Sequence, residues 1–168
     1  SALAQVDRVW VDPRTSAWIV GKLLKVVDFA HAQGISVGSV TSDNTVIERD
    51  LHGVIVFDWT RASHHGEGRV PASVAGKELS NVAEIGIAAL GGDLATGKLL
   101  PNEQLTDGRF EAFLRNMQLG YVTHAGDAHR RFYELIWDMW PNAFHPFTTV
   151  PCESAEHHEE GELDAREG

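Results

Sequence analysis

Residues 23–59 read LLKVVDFAHAQGISVGSVTSDNTVIERDLHGVIVFDW, and the apolar period changes within them. At the start Leu23, Val26, Val27 and Ala30 recur at helical spacing, and the face extends backward through Trp18 and Ile19. Asp12 is a capping residue, Pro13 suits the first helical position, and Gly34 suits a left-handed stop. A core helix is therefore expected over 13–33. Beyond it, Ile35 and Val37, then residues 45–47, are short β-branched runs. A charged turn over 48–53 separates the last of these from the apolar run 54–57 (VIVF), so a small β-hairpin is expected.

Outward from this stretch, residues 60–78 are turn-rich and aperiodic, which predicts a long loop of the kind that often carries function. Helical patterns resume over 81–90, with Ser80 as the expected cap, over 108–119, and over 127–139, ending before Pro141. Within the last, Phe132, Tyr133, Trp137 and Trp140 are expected to pack in the core. The fold class expected is mainly α with a small β-hairpin, an α+β domain over residues 1–150.

The chain has 168 residues, one cysteine (Cys152) and a formal charge of −10. That length supports one domain with a sizeable core, and one cysteine makes neither an internal disulfide nor a Cys-based zinc site. The charge is not evenly spread. Seven acids against Arg166 put −6 in residues 151–168, leaving −4 for residues 1–150. An acidic, disordered tail is expected there, and binding to nucleic acid by counterion release is not. No run approaches the roughly 20 apolar residues of a membrane span. No signal-peptide pattern opens the sequence, so no membrane association and a cytoplasmic location are expected.

The order of helix, hairpin, long loop and further helices, with the residues they carry, resembles the large, C-terminal lobe of eukaryotic-like protein kinases. In that family a long helix is followed by His-Arg-Asp, four residues, Asn, a hairpin and Asp-Phe-Gly. Here the Asn falls on Asn44 and the metal-binding Asp on Asp58, with Trp59 in place of Phe. Ser39 stands at the catalytic Asp, and Val37 and Gly38 replace the His and Arg. Pro71 and Ala72 stand where the activation segment would end in Pro-Glu. NVAEIG (81–86) resembles the start of the buried lobe helix, and His124 takes the place of the Arg that pairs with that Glu. Losing both members of a buried ion pair is far less costly than losing one.

More narrowly, the pattern resembles a bacterial group of degenerate kinase-like domains, some associated with J-domain proteins. It is carried by His52-Gly53 before the strand ending in Asp58-Trp59, by Gly91, Gly92 and Asp93, and by WPNAFHPF (140–147). The resemblance covers about residues 12–147. It implies a kinase-like C-lobe without the small lobe, since a bilobal kinase needs roughly 250 residues. No Gly-rich loop or strand lysine is expected in this chain, and Ser39 is not a carboxylate base. The function implied is a catalytically incompetent, pseudokinase-type module for protein interaction or regulation. It would meet a protein partner, or a second copy of itself, through the surface a small lobe would cover. The alternative is an atypical phosphotransferase or nucleotide binder completed by a partner, with Asn44, Asp58 and Asp43 offering oxygens to Mg-ATP. No cofactor is expected under the first reading. The weight of structure in turns favours Asn44 and Asp58 bonding local backbone. His64, His65 and Glu67 lack the helical i, i+4 spacing of a metal site, and His157 and His158 fall in the acidic tail.

Overall fold

The computed structural model describes residues 9–67, 69–99, 107–141 and 144–151. The acidic stretch beyond Pro151, with Cys152, His157 and His158, lies outside them. The described residues form an α+β fold of four α-helices and three two-stranded antiparallel sheets. Strand β1 (Val9–Val11) leads into α1 (Pro13–Ala32), β2 (Ile35–Ser36) and a single 3-10 turn (Ser42–Asn44). There follow β3 (Thr45–Glu48), β4 (Gly53–Val56), β5 (Ser63–His64), α2 (Ala72–Ala89), α3 (Arg109–Gln118), α4 (Ala125–Met139) and β6 (Thr149–Pro151).

Helix α1 is the centre of the molecule. Its start is fixed by Asp12, whose Oδ1 accepts from the Thr15 amide at 2.9 Å, and by Pro13 in the first turn. Its end is fixed by Gly34, in the left-handed region at φ +71°. Between them Ile19, Val20, Leu23, Leu24 and Val27 are fully buried. One side of α1 meets α2 and another meets α4. The approach to α2 is close because Gly86 has no side chain: a Cβ there would lie 2.5 Å from a methyl of Val20. The Gly86 carbonyl instead accepts from the buried Ser16 hydroxyl at 2.8 Å. Phe110, Leu114 and Met117 of α3 close the core against α2, and the Phe110 ring lies 6.3 Å from that of Phe132 on α4.

Several expectations are corrected here. The stretch 60–78 is not one long loop: it contains β5, and α2 begins at Ala72, nine residues before Asn81. Ala72, Ala75 and Leu79 continue the apolar spacing of 82–87 backward, and only the polar residues between them disguised the helix. Ser80 is thus no cap. It sits inside α2, and its hydroxyl donates to the Gln118 carbonyl at 2.8 Å, tying α2 to the end of α3. Helix α4 starts at Ala125, two residues earlier than expected, because the His124 ring caps it by accepting from the Asp127 amide at 3.2 Å. Of the aromatic set, Phe132 is buried and Trp140 half-buried, while Tyr133 and Trp137 are exposed.

The hairpin is the expected one, pairing Thr45 with Val56 and Val46 with Ile55. Strand β2 does not join it: it pairs with β5, placing Ile35 opposite His64. The pairing of β1 with β6, which sets Val9 opposite Pro151, was not anticipated. Asp12 and Thr15 also bond to Thr148, with Asp12 N to Thr148 O at 3.2 Å and Thr148 N to Thr15 Oγ1 at 3.0 Å. Asp12 further meets His145 Nε2 at 2.6 Å. Asp12→Ala is therefore expected to cost about 1 to 2 kcal/mol, the upper range of a lost helix cap, measured by urea denaturation. Asp12→Asn keeps the cap and should recover most of it.

Candidate functional site

The loop from Val37 to Asn44 carries three of the four residues singled out by sequence, Ser39, Asn44 and the exposed Asp43. Val37 and Val40 point into the core and are fully buried, so the loop is pinned from beneath. Asn44 organises it from within. Its Oδ1 accepts from the Thr41 amide at 2.8 Å and the Thr41 hydroxyl at 3.2 Å, and its Nδ2 donates to the Ser39 carbonyl at 2.8 Å. The side chain is 6% exposed, and all its ordinary hydrogen-bonding directions except one N–H are used. Ser39 enters this network through its backbone.

The Asn44 carbonyl accepts from the Phe57 amide at 3.0 Å, so the end of β4 is joined to the loop and Asp58 follows directly. Asp58 is exposed and left-handed, at φ +62°, a conformation that Asp tolerates better than most residues. Its Oδ1 accepts from the Thr60 hydroxyl at 2.6 Å and the Thr60 amide at 3.4 Å. Those bonds hold its carboxyl below the usual carboxylate range, hydroxyl first and amide second, so it is ionised at neutral pH. Trp59 anchors the turn, its indole donating to the Val56 carbonyl at 2.9 Å.

The residue that sequence reading missed is Glu78. It lies on the buried face of α2, 3% exposed, and each carboxylate oxygen has a partner from a different element. Oε1 accepts from the Gly38 amide at 2.6 Å and Oε2 meets His31 Nε2, at the end of α1, at 2.7 Å. One carboxylate thus ties the loop to two helices. Its signal was present: an acid among Ala75, Leu79 and Val82 on an apolar helical stripe demands a buried partner. The expected loop over 60–78 concealed it.

From the other side, the turns before and after β5 press on Gly38 of the loop and on Gly34 at the end of α1. A Cβ on Gly38 would stand 2.1 Å from the Arg61 carbonyl oxygen, and one on Gly34 would stand 1.8 Å from that of Gly66. The His65 amide donates to the Gly34 carbonyl at 2.7 Å, and the His65 ring meets the buried Ser36 hydroxyl at 2.9 Å. His64 is exposed on β5, and Glu67 is exposed beyond the turn. Among the described residues no three His, Cys, Asp or Glu side chains are grouped to hold a metal ion.

Chemically, the site offers the ionised, solvent-facing carboxylate of Asp58 beside the loop and the exposed side chain of Asp43 within it. Asn44 has no oxygen lone pair left for a cation without breaking the loop. The Glu78 carboxylate of α2, which meets the loop at Gly38, is committed there and to His31 and so is not available to Ser39 as a base. The outer face of the hairpin is apolar: Val46 and its cross-strand partner Ile55 are 48% and 56% exposed, and Phe57 continues that face. Comparison with protein-family models, with curated proteins and with solved structures finds no match.

Proposed function

We propose that this chain is a kinase-like C-lobe without phosphotransfer activity, which works by contact with another protein chain, in interaction or regulation. The observation that carries the reading is the hairpin face of Val46, Ile55 and Phe57, with Leu51 at its turn and Trp59 beyond it. Exposed β-branched and aromatic side chains paired across two strands form a contiguous apolar surface, the kind that marks an interface. It borders the loop holding Ser39 and Asn44, where the resemblance places the junction with a small lobe. The order of α1, loop, hairpin, β5 and α2, with β5 paired back onto β2, supports the resemblance independently of any one motif. No helix among the described residues is long and apolar enough to cross a membrane.

The test is site-specific photocrosslinking in cells. A photoreactive residue at position 46 is expected to give discrete covalent adducts, with a second copy or another protein. One at Lys77, exposed on α2, is expected to give none. No adduct from position 46 would overturn the contact role.

One observation favours the second reading, a Mg-ATP binder completed by a partner: Asp58 is ionised, exposed and held left-handed. Under the reading proposed here, millimolar Mg-ATP leaves the melting temperature unchanged in wild type and in Asp58→Ala. A ligand at 100 times its dissociation constant would add roughly 2.7 kcal/mol. A shift of that order, lost in Asp58→Ala, would replace the first reading with the second.

A further inference from the structure

A cavity of about 300 Å³ lies between α1 and α4, closed at one end by the hairpin turn and the segment after α4. It shares no residue with the Ser39 loop or Asp58. It exists because α1 presents Ala17 and Gly21 where larger residues would fill the space; a Cβ on Gly21 would already stand 3.1 Å from the Phe132 ring. The walls are aromatic, from Trp18 on α1 and Phe132, Tyr133 and Trp140 on α4, with Phe144 at the mouth. A further ring, that of His52, is held at 5.4 Å from Trp18 and 5.2 Å from Phe144, both tilted. The spacing already accepts a flat group between two rings.

Charge gives the wall its second property. Arg14 and Lys22 bring two cations to the cavity, beside the rings of His52 and His145, and no carboxylate lines it, in a chain of net charge −10. Arg14 and Lys22 are eight residues apart on α1, with Trp18 midway, so both share the face that looks into the cavity. The guanidinium of Arg14 lies 5.8 Å over the Trp140 ring, and His145 is held by Asp12 at 2.6 Å. The acids that α4 carries along this stretch are turned to other partners, Glu134 to Arg130 and Asp138 to Arg109. Lys22 is exposed, and no ion pair among the described residues engages it. A cationic ligand would meet like charges here; an anion would not. The volume stands at the lower limit of small-molecule sites, which are typically apolar clefts with a few placed polar groups.

We propose that this cavity binds a small aryl carboxylate, its ring among Trp18, Phe132 and Trp140 and its carboxylate paired with Lys22. The probe is naphthoate, titrated into the full chain by calorimetry with tryptophan emission as a second readout. Saturable one-to-one binding is expected. Lys22→Glu, at an exposed position, should weaken naphthoate by about tenfold or more and leave neutral naphthol within about twofold. Ala17→Leu should fill the cavity and weaken both; if that variant does not fold, Lys22→Glu decides alone. Absence of saturation at millimolar naphthoate would overturn the proposal. So would equal affinity of wild type and Lys22→Glu for naphthoate, or tighter binding of naphthylmethylammonium than of the acid.

Discussion

Glu78→Ala is expected to lower the stability of the fold by about 3 to 5 kcal/mol, the sum of two buried hydrogen-bonding groups left without their acceptor and of the gap opened in the core. In a chain of this size that is a fall of roughly 10 °C in melting temperature. The loss has two parts. His31 Nε2 and the Gly38 amide each lose their acceptor, at a depth where water does not replace it. The space left by the carboxylate then lies among Ala75, Leu79 and Val82, on a face that cannot collapse without moving α2. Differential scanning calorimetry reads the two together. Hydrogen exchange at Gly38 reads the first separately, because the loop should open locally while α3 and α4 stay protected. Glu78→Gln retains one acceptor and one donor, and should recover part of the loss. A change below about 1 kcal/mol in Glu78→Ala would mean that Val37, Val40 and the Asn44 bonds hold the loop without Glu78.

Gly34→Ala should be nearly as damaging, by roughly 3 kcal/mol, through a different cause. At φ +71° any L side chain is strained, and here the new methyl would also enter the Gly66 carbonyl. The turn must lift away, breaking the bond from the His65 amide to Gly34 and unseating β5 from β2. Gly120 supplies the control. It is left-handed too, at φ +77°, but a Cβ there meets nothing within 4 Å. Gly120→Ala should cost only the backbone term, about 1 kcal/mol. The difference between the two variants, read from denaturant midpoints, measures how tightly the turn at Gly66 is pressed onto the end of α1. Equal costs would mean that it is not.

The parts of this architecture legible in the sequence are those set by local chemistry. Asp12, Pro13 and Gly34 bound α1 because caps and left-handed stops are decisions of a few adjacent residues. The β3–β4 hairpin was readable because two β-branched runs flank one charged turn. What was hidden depends on distant partners. Helix α2 carries Ser73, Lys77, Glu78 and Ser80, which look like loop chemistry until Glu78 finds Gly38 and Ser80 finds Gln118. Pairing of β1 with β6 joins residues more than 130 positions apart, and three-residue strands have no period to detect. At the candidate site, Asn44 and Asp58 do adjoin through the Phe57 amide, but their side chains differ: one is spent on the loop and the other faces solvent.

The β1–β6 ladder has a mechanical consequence. Val9 and Pro151 are opposite each other at its outer end, followed inward by Trp10 with Val150 and Val11 with Thr149. Tension applied through both ends of the domain would load these hydrogen bonds one after another rather than together. The clasp should unzip at low force, before the four helices feel the load, and close again when the tension is released.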